Sequence, residues 1–364
     1  MNIKSFLLGS TAALMAASSA RAADAVVVAE PEPVEYVRVC DAYGAGFFYI
    51  PGTETCLKIG GYLRYDAAAG DDVYTGGHVG GENDTWSKST RAELRFDARS
   101  ETELGTLRSY IDGRFQYTDG EDDGATLHQA YIELGGFQIG VNDAIFGSWV
   151  GYAGDIVNDD VIQYGSDSFS SNEISYTYKA GNGFSAIIAA EQGSVEGDYD
   201  YTIDDYMPHV LAGAKFEQGW GTISGIIGYD SVQEAIGVKA RLDVKFTDTI
   251  SAWVMGAYQS DYDPDSFVTN TNKNWYGLWE GDWAAWGGFA AQVSDKATIN
   301  GQAAYESEGT YALALNVAYE LVPGFTITPE INYTKFDGAR KDEALLEGGS
   351  DDAFGGIIRF QRNF

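Results

Sequence analysis

Residues 89–99, STRAELRFDAR, place Arg91, Glu93, Arg95, Asp97 and Arg99 at every second position, with Ala92, Leu94, Phe96 and Ala98 between them. Charge with a period of two fits no helical face, because a helix repeats about every 3.6 residues and a strand every two. The stretch reads as a strand with one apolar face and one ionic face. Its surroundings must be apolar on one side and wet on the other.

The pattern recurs. Tyr311, Leu313, Leu315, Val317, Tyr319 and Leu321 share one face, with Asn316 and Glu320 on the other. Ile236, Val238, Ala240, Leu242, Val244 and Phe246 alternate with Lys239, Arg241, Asp243 and Lys245. Phe325, Ile327, Ile331 and Tyr333 alternate with polar residues that include Glu330 and Asn332. One face of a strand in a soluble sandwich looks the same, so alternation alone does not separate sandwich from membrane barrel. The connections do. Short links at 100–104, 135–136, 180–183, 218–221, 247–248, 294–295 and 322–324 contrast with long ones at 70–87, 142–170, 193–208, 261–282 and 336–352. Between them lie about 16 strands, each near the ~9–11 residues that cross a bilayer at a tilt. Short turns at one end and long loops at the other mark an antiparallel transmembrane β-barrel, and a Greek-key sandwich has no reason to keep that asymmetry. The last segment agrees, with Phe354, Ile358, Phe360 and Phe364 on one face and Arg359 and Gln361 opposite. Arg362 breaks the pattern and suits a snorkelling position. A closing strand must pair with the first, since no edge stays unpaired in lipid.

The chain opens like an exported protein. Lys4 precedes a short apolar run, and Ala20-Arg21-Ala22 supplies the small residues of a cleavage site, so residues 1–22 read as a signal peptide. The run is shorter than the roughly 20 residues of a membrane anchor. Residues 23–56 are then a periplasmic leader and 57–364 the barrel. Cys40 and Cys56 are the only cysteines. In an oxidising compartment they are expected to pair, which would stabilise by about 3 kcal/mol in the chain-entropy account. No histidine lies near them, so no metal is expected. The net charge of -31 argues against nucleic acid. Such acidity often signals disorder, but 24 Tyr, 18 Phe and 8 Trp contradict that.

Several stretches resemble the Rhizobiales-type porins of Alphaproteobacteria: VRVCDAYGAGFFYIPGTETCLKIGGYLRYD (37–66), SETELGTL (100–107), GDIVNDDVI (154–162), AYELVPGFTITPEINYTKF (318–336) and GGIIRFQRNF (355–364). The resemblance runs from the signal peptide to Phe364. It implies an all-β, 16-stranded antiparallel barrel in the outer membrane of a Gram-negative bacterium, among lipid and lipopolysaccharide. It also implies a homotrimer, passive diffusion of small hydrophilic solutes and ions, and a third external loop folded into the lumen.

Basic residues crowd the first three strands. Parity places Lys58, Arg64, Arg91, Arg95, Arg108 and Arg114 on the face opposite the apolar residues, hence toward the lumen, where Glu93, Asp97 and Asp112 are available partners. A charge on the lipid face would cost about 2–4 kcal/mol near the midplane. Arg99, beside a short turn, reads as periplasmic rim. Two readings stand: a basic wall that steers ions, or a set of carboxylate-paired lumen residues with no such role. The counter-charge is sought in 142–170, which carries Asp143, Asp155, Asp159, Asp160 and Asp167 together with Ile145, Phe146, Trp149, Val150, Ile156, Val157 and Ile162. A plain surface loop seldom holds so many apolar side chains. Packed inward, they would turn the carboxylates into the pore, with Asp155, Asp159 and Asp160 facing Arg91 and Arg95 across its narrowest point.

Trp275, Tyr276, Trp279, Trp283 and Trp286 suit an interfacial girdle or a subunit contact, or alternatively a greasy sugar track. The acidic runs at 119–123, 261–265 and 350–352 read as external loop surface with at most loose divalent-cation binding. Ser266 and Asn272 spoil the calcium-loop spacing that Asp261, Asp263 and Asp265 begin. His78, His128 and His209 carry no catalytic motif, so an enzyme is not expected. An adhesive or wall-tethering role calls for an extra periplasmic domain, and the leader is too short to be one. The resulting expectation is a general-diffusion channel that needs no cofactor. The alternative is a channel selective for one oligosaccharide or anion class, with a saturable site.

Overall fold

In the computed structural model, the described residues are 38–80, 85–166, 170–196, 199–264 and 273–364. The signal peptide, most of the leader, Asp167 and Asp265 lie outside them. The strands run β1 Cys56–Gly70, β2 Ser87–Thr102, β3 Gly105–Thr118, β4 Glu121–Leu134, β5 Phe137–Asp143, β6 Ser170–Lys179, β7 Phe184–Glu191 and β8 His209–Gln218. They continue as β9 Gly221–Asp230, β10 Ala235–Lys245, β11 Ile250–Gln259, β12 Trp283–Ser294, β13 Ala297–Glu306, β14 Tyr311–Val322, β15 Phe325–Lys335 and β16 Asp352–Asn363. Each pairs antiparallel with the next, and β16 closes on β1 from Gly355↔Gly70 to Asn363↔Tyr62. The sixteen-stranded ring therefore has no open edge, as a span through lipid requires. The two-residue strand Phe48–Tyr49 adds to the start of β1.

Polarity is inverted relative to a soluble protein. Ile59, Leu63, Phe96, Ile111, Phe115, Ile132, Ile174, Ile188, Ile223, Val254, Leu313 and Ile331 are exposed, while Glu93, Asp112, Glu173, Lys239, Arg241, Asn300, Asn316, Glu330 and Asn332 are buried. The neighbours along each strand alternate between the two sets, so the apolar face looks outward and the ionic face inward.

Seven links at one end are short. At the other end, five are long and three are as short as turns, at 119–120, 231–234 and 307–310. Most of the acidic run expected as a loop at 119–123 is therefore strand, since β4 begins at Glu121. The hydrophobic core joins the long links to inward-facing wall residues such as Leu211, Ile226, Trp253 and Met255. Ile145, Phe146, Val150, Ile162, Trp275, Tyr276, Leu278 and Trp279 form one buried cluster. Trp275, Tyr276 and Trp279 are thus core residues of the external end, not a girdle or an exposed track: Phe146 packs at a tilt against Tyr276 with centroids 5.0 Å apart, and Trp279 meets Trp286 edge-on at 5.9 Å. Only Trp283 of that group faces outward. Inward-facing Gly228 and Gly237 make room for this core; a Cβ at either would lie 2.6 or 2.4 Å from Tyr276.

Candidate pore lining and constriction

The basic wall is organised in rows that cross the strands. In one, Tyr62, Glu93 and Arg114 are successive partners on β1, β2 and β3, and Arg114 Nε donates to Glu93 Oε2 at 2.7 Å. Arg95 pairs with the other oxygen of Glu93 and lies 3.5 Å from Asp112. Nearer the short turns, Asp97 accepts from Arg99 at 2.7 Å and from Arg108 at 3.0 Å, and Arg108 also reaches Glu133 at 3.3 Å. These arginines are held by buried carboxylates, an arrangement that fixes their guanidinium planes and largely cancels their charge.

One row differs. Gln361, Arg64, Arg91 and Gln116 are consecutive partners on β16, β1, β2 and β3. Arg64 Nε donates to Gln361 at 3.1 Å and Arg91 Nε to Gln116 at 2.6 Å. Among the described residues neither arginine has a carboxylate within ion-pair distance. Lys58 likewise has no such partner among them; its Nζ lies 5.9 Å from the ring centre of Phe47.

The segment 144–166 follows an outward and a return path over inward-facing side chains. It opens with a short helix, α1 (Ile145–Ser148), whose first N–H donates to Glu191 Oε1 of β7 at 2.6 Å. Arg241 of β10 donates to the carbonyls of Gly151 and Tyr152. Asn316 of β14 donates to Asp155 O at 2.7 Å. At the tip, Glu330 of β15 accepts from Val157 N at 2.6 Å and Asn158 N at 2.9 Å. The chain then returns by Gln302 of β13 to Asp159 O (2.7 Å), Trp286 of β12 to Ile162 O (2.9 Å) and Lys239 of β10 to Tyr164 O (2.5 Å). Buried main-chain groups need partners, and here the wall supplies them from side chains. Glu191 also accepts from Trp275 Nε1 and Tyr276 OH, tying this link to the 260–282 link.

The four aspartates occupy different places. Asp143 is the last residue of β5 rather than part of the link; it accepts from Tyr152 OH at 2.5 Å and lies 3.4 Å from His128 Nε2. Asp155 is exposed. Asp159 accepts from Tyr164 OH at 2.9 Å, and Asp160 from Tyr74 OH at 2.7 Å. Tyr74 belongs to the link between β1 and β2, the strands that carry Lys58, Arg64, Arg91 and Arg95, so Asp160 reaches the external end of the wall. Burial, then the neighbouring Asp160, pushes the Asp159 carboxyl up to about 7. The residues that hold the link — Glu191, Lys239, Arg241, Gln302, Asn316 and Glu330 — did not stand out in the sequence. Their one signal was polar or charged character at inward parity in strands far from the first three.

At the external rim, Glu306 at the end of β13 accepts from Arg340 Nε at 2.6 Å and from Glu280 N at 2.7 Å. Arg340 lies on α2 (Gly338–Leu346), capped by the Asp337 side chain. Glu280 in turn takes Lys273 at 3.0 Å and Tyr262 at 2.8 Å, so the network joins the 260–282 and 336–351 links at the end of β13. The expected disulfide between Cys40 and Cys56 is present, with Cα atoms 6.0 Å apart.

A closed barrel with an apolar exterior and a charged interior defines the class of outer-membrane channel proteins. The chain belongs to the porin subfamily, whose profile matches residues 24–357. It is 53% identical to Porin Omp2a of Brucella melitensis biotype 1 and 52% identical to Porin Omp2b of Brucella canis, each alignment covering 100% of both chains. Among solved structures it is similar to the outer membrane channel DcaP of Acinetobacter baumannii, with TM-score 0.66, 16% identity and coverage of 87% of this chain and 99% of that one. Salmonella typhi OmpF matches with TM-score 0.60, 9% identity and coverage of 86% and 99%. At those identities the likeness concerns the fold. Family membership makes the protein a general-diffusion porin of the Gram-negative outer membrane, a passive channel and not an enzyme.

Proposed function

We propose that the pore is narrowest where the 144–166 segment meets the wall of β1–β3, and that solutes are sorted there by size and by an opposed field. Asp155, Asp159 and Asp160 supply the acidic side. Lys58, Arg64, Arg91, Arg95, Arg108 and Arg114 form the basic side, with the Arg64–Arg91 row carrying most of the uncancelled charge. Asp143 acts as an anchor through Tyr152 rather than as a lining residue. The observation that carries this reading is the path of the segment, whose hydrogen bonds end on inward-facing side chains from β7 to β15. A link spread over the inner wall takes cross-section from the water-filled lumen, and fixed opposed charges orient dipolar solutes passing between them. Small hydrophilic solutes and ions pass without a cofactor.

The working assembly is a homotrimer, in keeping with the trimeric habit of the family, with lipid against the exposed apolar belt and lipopolysaccharide around the external links. Deleting 155–160 tests the constriction directly: single-channel conductance should rise, and an unchanged conductance would sink the assignment. Trimers that dissociate only on boiling would support the assembly; a monomer in gentle detergent would count against it.

A further inference from the structure

The disulfide-closed segment 40–56 sits on the ionic side of the barrel, not the lipid side. Phe47 is buried with Cys40 and Cys56, and Tyr43 and Tyr49 pack against them. The Phe47 ring centre is 5.2 Å from Arg99 Cζ and 5.9 Å from Lys58 Nζ, and the Tyr43 ring centre is 5.8 Å from Arg99 Cζ. Tyr43 OH donates to Glu101 Oε1 at 2.8 Å. Lys58, Arg99 and Glu101 all have inward parity, and they lie at the end of β1 and β2 that carries the short turns, the periplasmic end of such a barrel. A segment outside the wall would meet Ile59 and Ala98 instead.

The strand Phe48–Tyr49 explains how the segment gets there. It pairs with Leu57 and Cys56, the stretch of β1 beyond the reach of β16, whose last pair is Asn363↔Tyr62. From this foothold the chain between Cys40 and Phe47 turns back over the inward side chains of β1 and β2. Asp41, Ala42, Gly44, Ala45 and Gly46 remain exposed, and the positive φ of Gly44 and Gly46 (95° and 89°) lets the backbone make that turn. Covalent closure by Cys40–Cys56 keeps it from swinging away.

We propose that the 40–56 segment is a second restriction of the pore, set at its periplasmic mouth and separate from the 144–166 constriction. It rests on the reading of the protein as an open pore. It gives the channel two filters in series, so solutes arriving from the two sides meet different first barriers.

Two variants test it: Cys40→Ser with Cys56→Ser, which opens the loop, and Tyr43→Ala with Phe47→Ala, which removes its packing while keeping the disulfide. Each full-length protein is inserted with known orientation into a planar bilayer, and graded polyethylene glycols are added to one side at a time. The expected result is higher single-channel conductance in both variants and entry of larger polymers from the periplasmic side only. Wild-type conductance and an unchanged polymer profile in a folded Tyr43→Ala/Phe47→Ala trimer would overturn the proposal and leave the segment as a cap for the β1 edge. The same result would settle the matter if the serine variant did not assemble. A wild-type protein that conducted no current would instead count against the pore reading itself.

Discussion

Arg64 and Arg91 stand opposite each other on adjacent strands, and each turns its Nε to a glutamine rather than to a carboxylate. Like charges directly opposite in a sheet are destabilising. The row is therefore a poor device for stability and a good one for placing charge in a pore. Replacing Arg91 with Gln should move the reversal potential in a potassium chloride gradient toward cations while leaving thermal stability unchanged or slightly raised. An unshifted potential would show that the row does not act on permeant ions.

Arg114 should behave in the opposite way. Its Nε holds Glu93, which has no exposed surface, and Arg95 shares the same carboxylate. Removing one charged partner of a buried hydrogen bond costs about 1.5–3 kcal/mol. Arg114→Ala should thus lower the unfolding temperature on heated gels more than Arg91→Gln does. Adding Glu93→Gln should restore part of the loss, since the stranded charge is then gone. Equal stability of the two arginine variants would refute this division of the wall.

Glu330 fastens the tip of the 144–166 segment through two main-chain N–H groups. Glu330→Ala strands both donors and loosens the tip, so open-channel current noise should increase with little change in trimer stability. The substitution to Gln retains an acceptor and should lie between wild type and Ala. A quiet trace from Glu330→Ala would mean that Asn316 and Gln302 suffice to hold the tip.

Asp159 brings a pH dependence into the neutral range. Its carboxyl is pushed up to about 7 by burial and by Asp160, with Glu330 adding to the rise and Tyr164 opposing it. Because the folded state favours the protonated form, the stability gained is fully present below the ordinary carboxylate range and is lost as pH rises through about 7. Acidifying from above to below that point also removes one negative charge from the segment. Cation preference should therefore fall on acidification with a midpoint near neutrality, and Asp159→Asn should flatten the curve. A titration that persists in Asp159→Asn would place the responsible group elsewhere.

Much of the architecture was legible because a barrel wall is a local, periodic object. Alternation in 89–99 assigned faces to Arg91, Glu93 and Arg95 one residue at a time, and the final strand announced closure through Phe354, Ile358 and Phe360. Two cysteines in an exported chain left one pairing. The aromatic residues of 275–286 misled, because an interfacial girdle and a buried core between loops use the same side chains. Nothing local distinguishes Trp283, which faces outward, from Trp275, which packs against Tyr201 of another link and His209 of β8. The short links at 231–234 and 307–310 likewise broke a rule of alternation that no single segment obeys by itself.

What the amino-acid order by itself determined was the face of each wall residue, since strand geometry repeats every two residues whatever the neighbours are. Together with the contrast between short and long links it pointed to a membrane barrel with an ionic lumen, while the family rested on the resemblance of stretches such as 37–66 and 355–364. Which arginines are cancelled and which are left charged was decided only by register across strands: sliding β2 by two residues against β1 would give Arg91 a new partner without altering its face. The path of the 144–166 segment was also a tertiary decision, made by Glu191, Arg241, Asn316 and Glu330, which lie up to 173 residues away in sequence. Hydrogen bonds between such distant groups exist only once the ring has closed and brought β7, β10, β14 and β15 around one lumen.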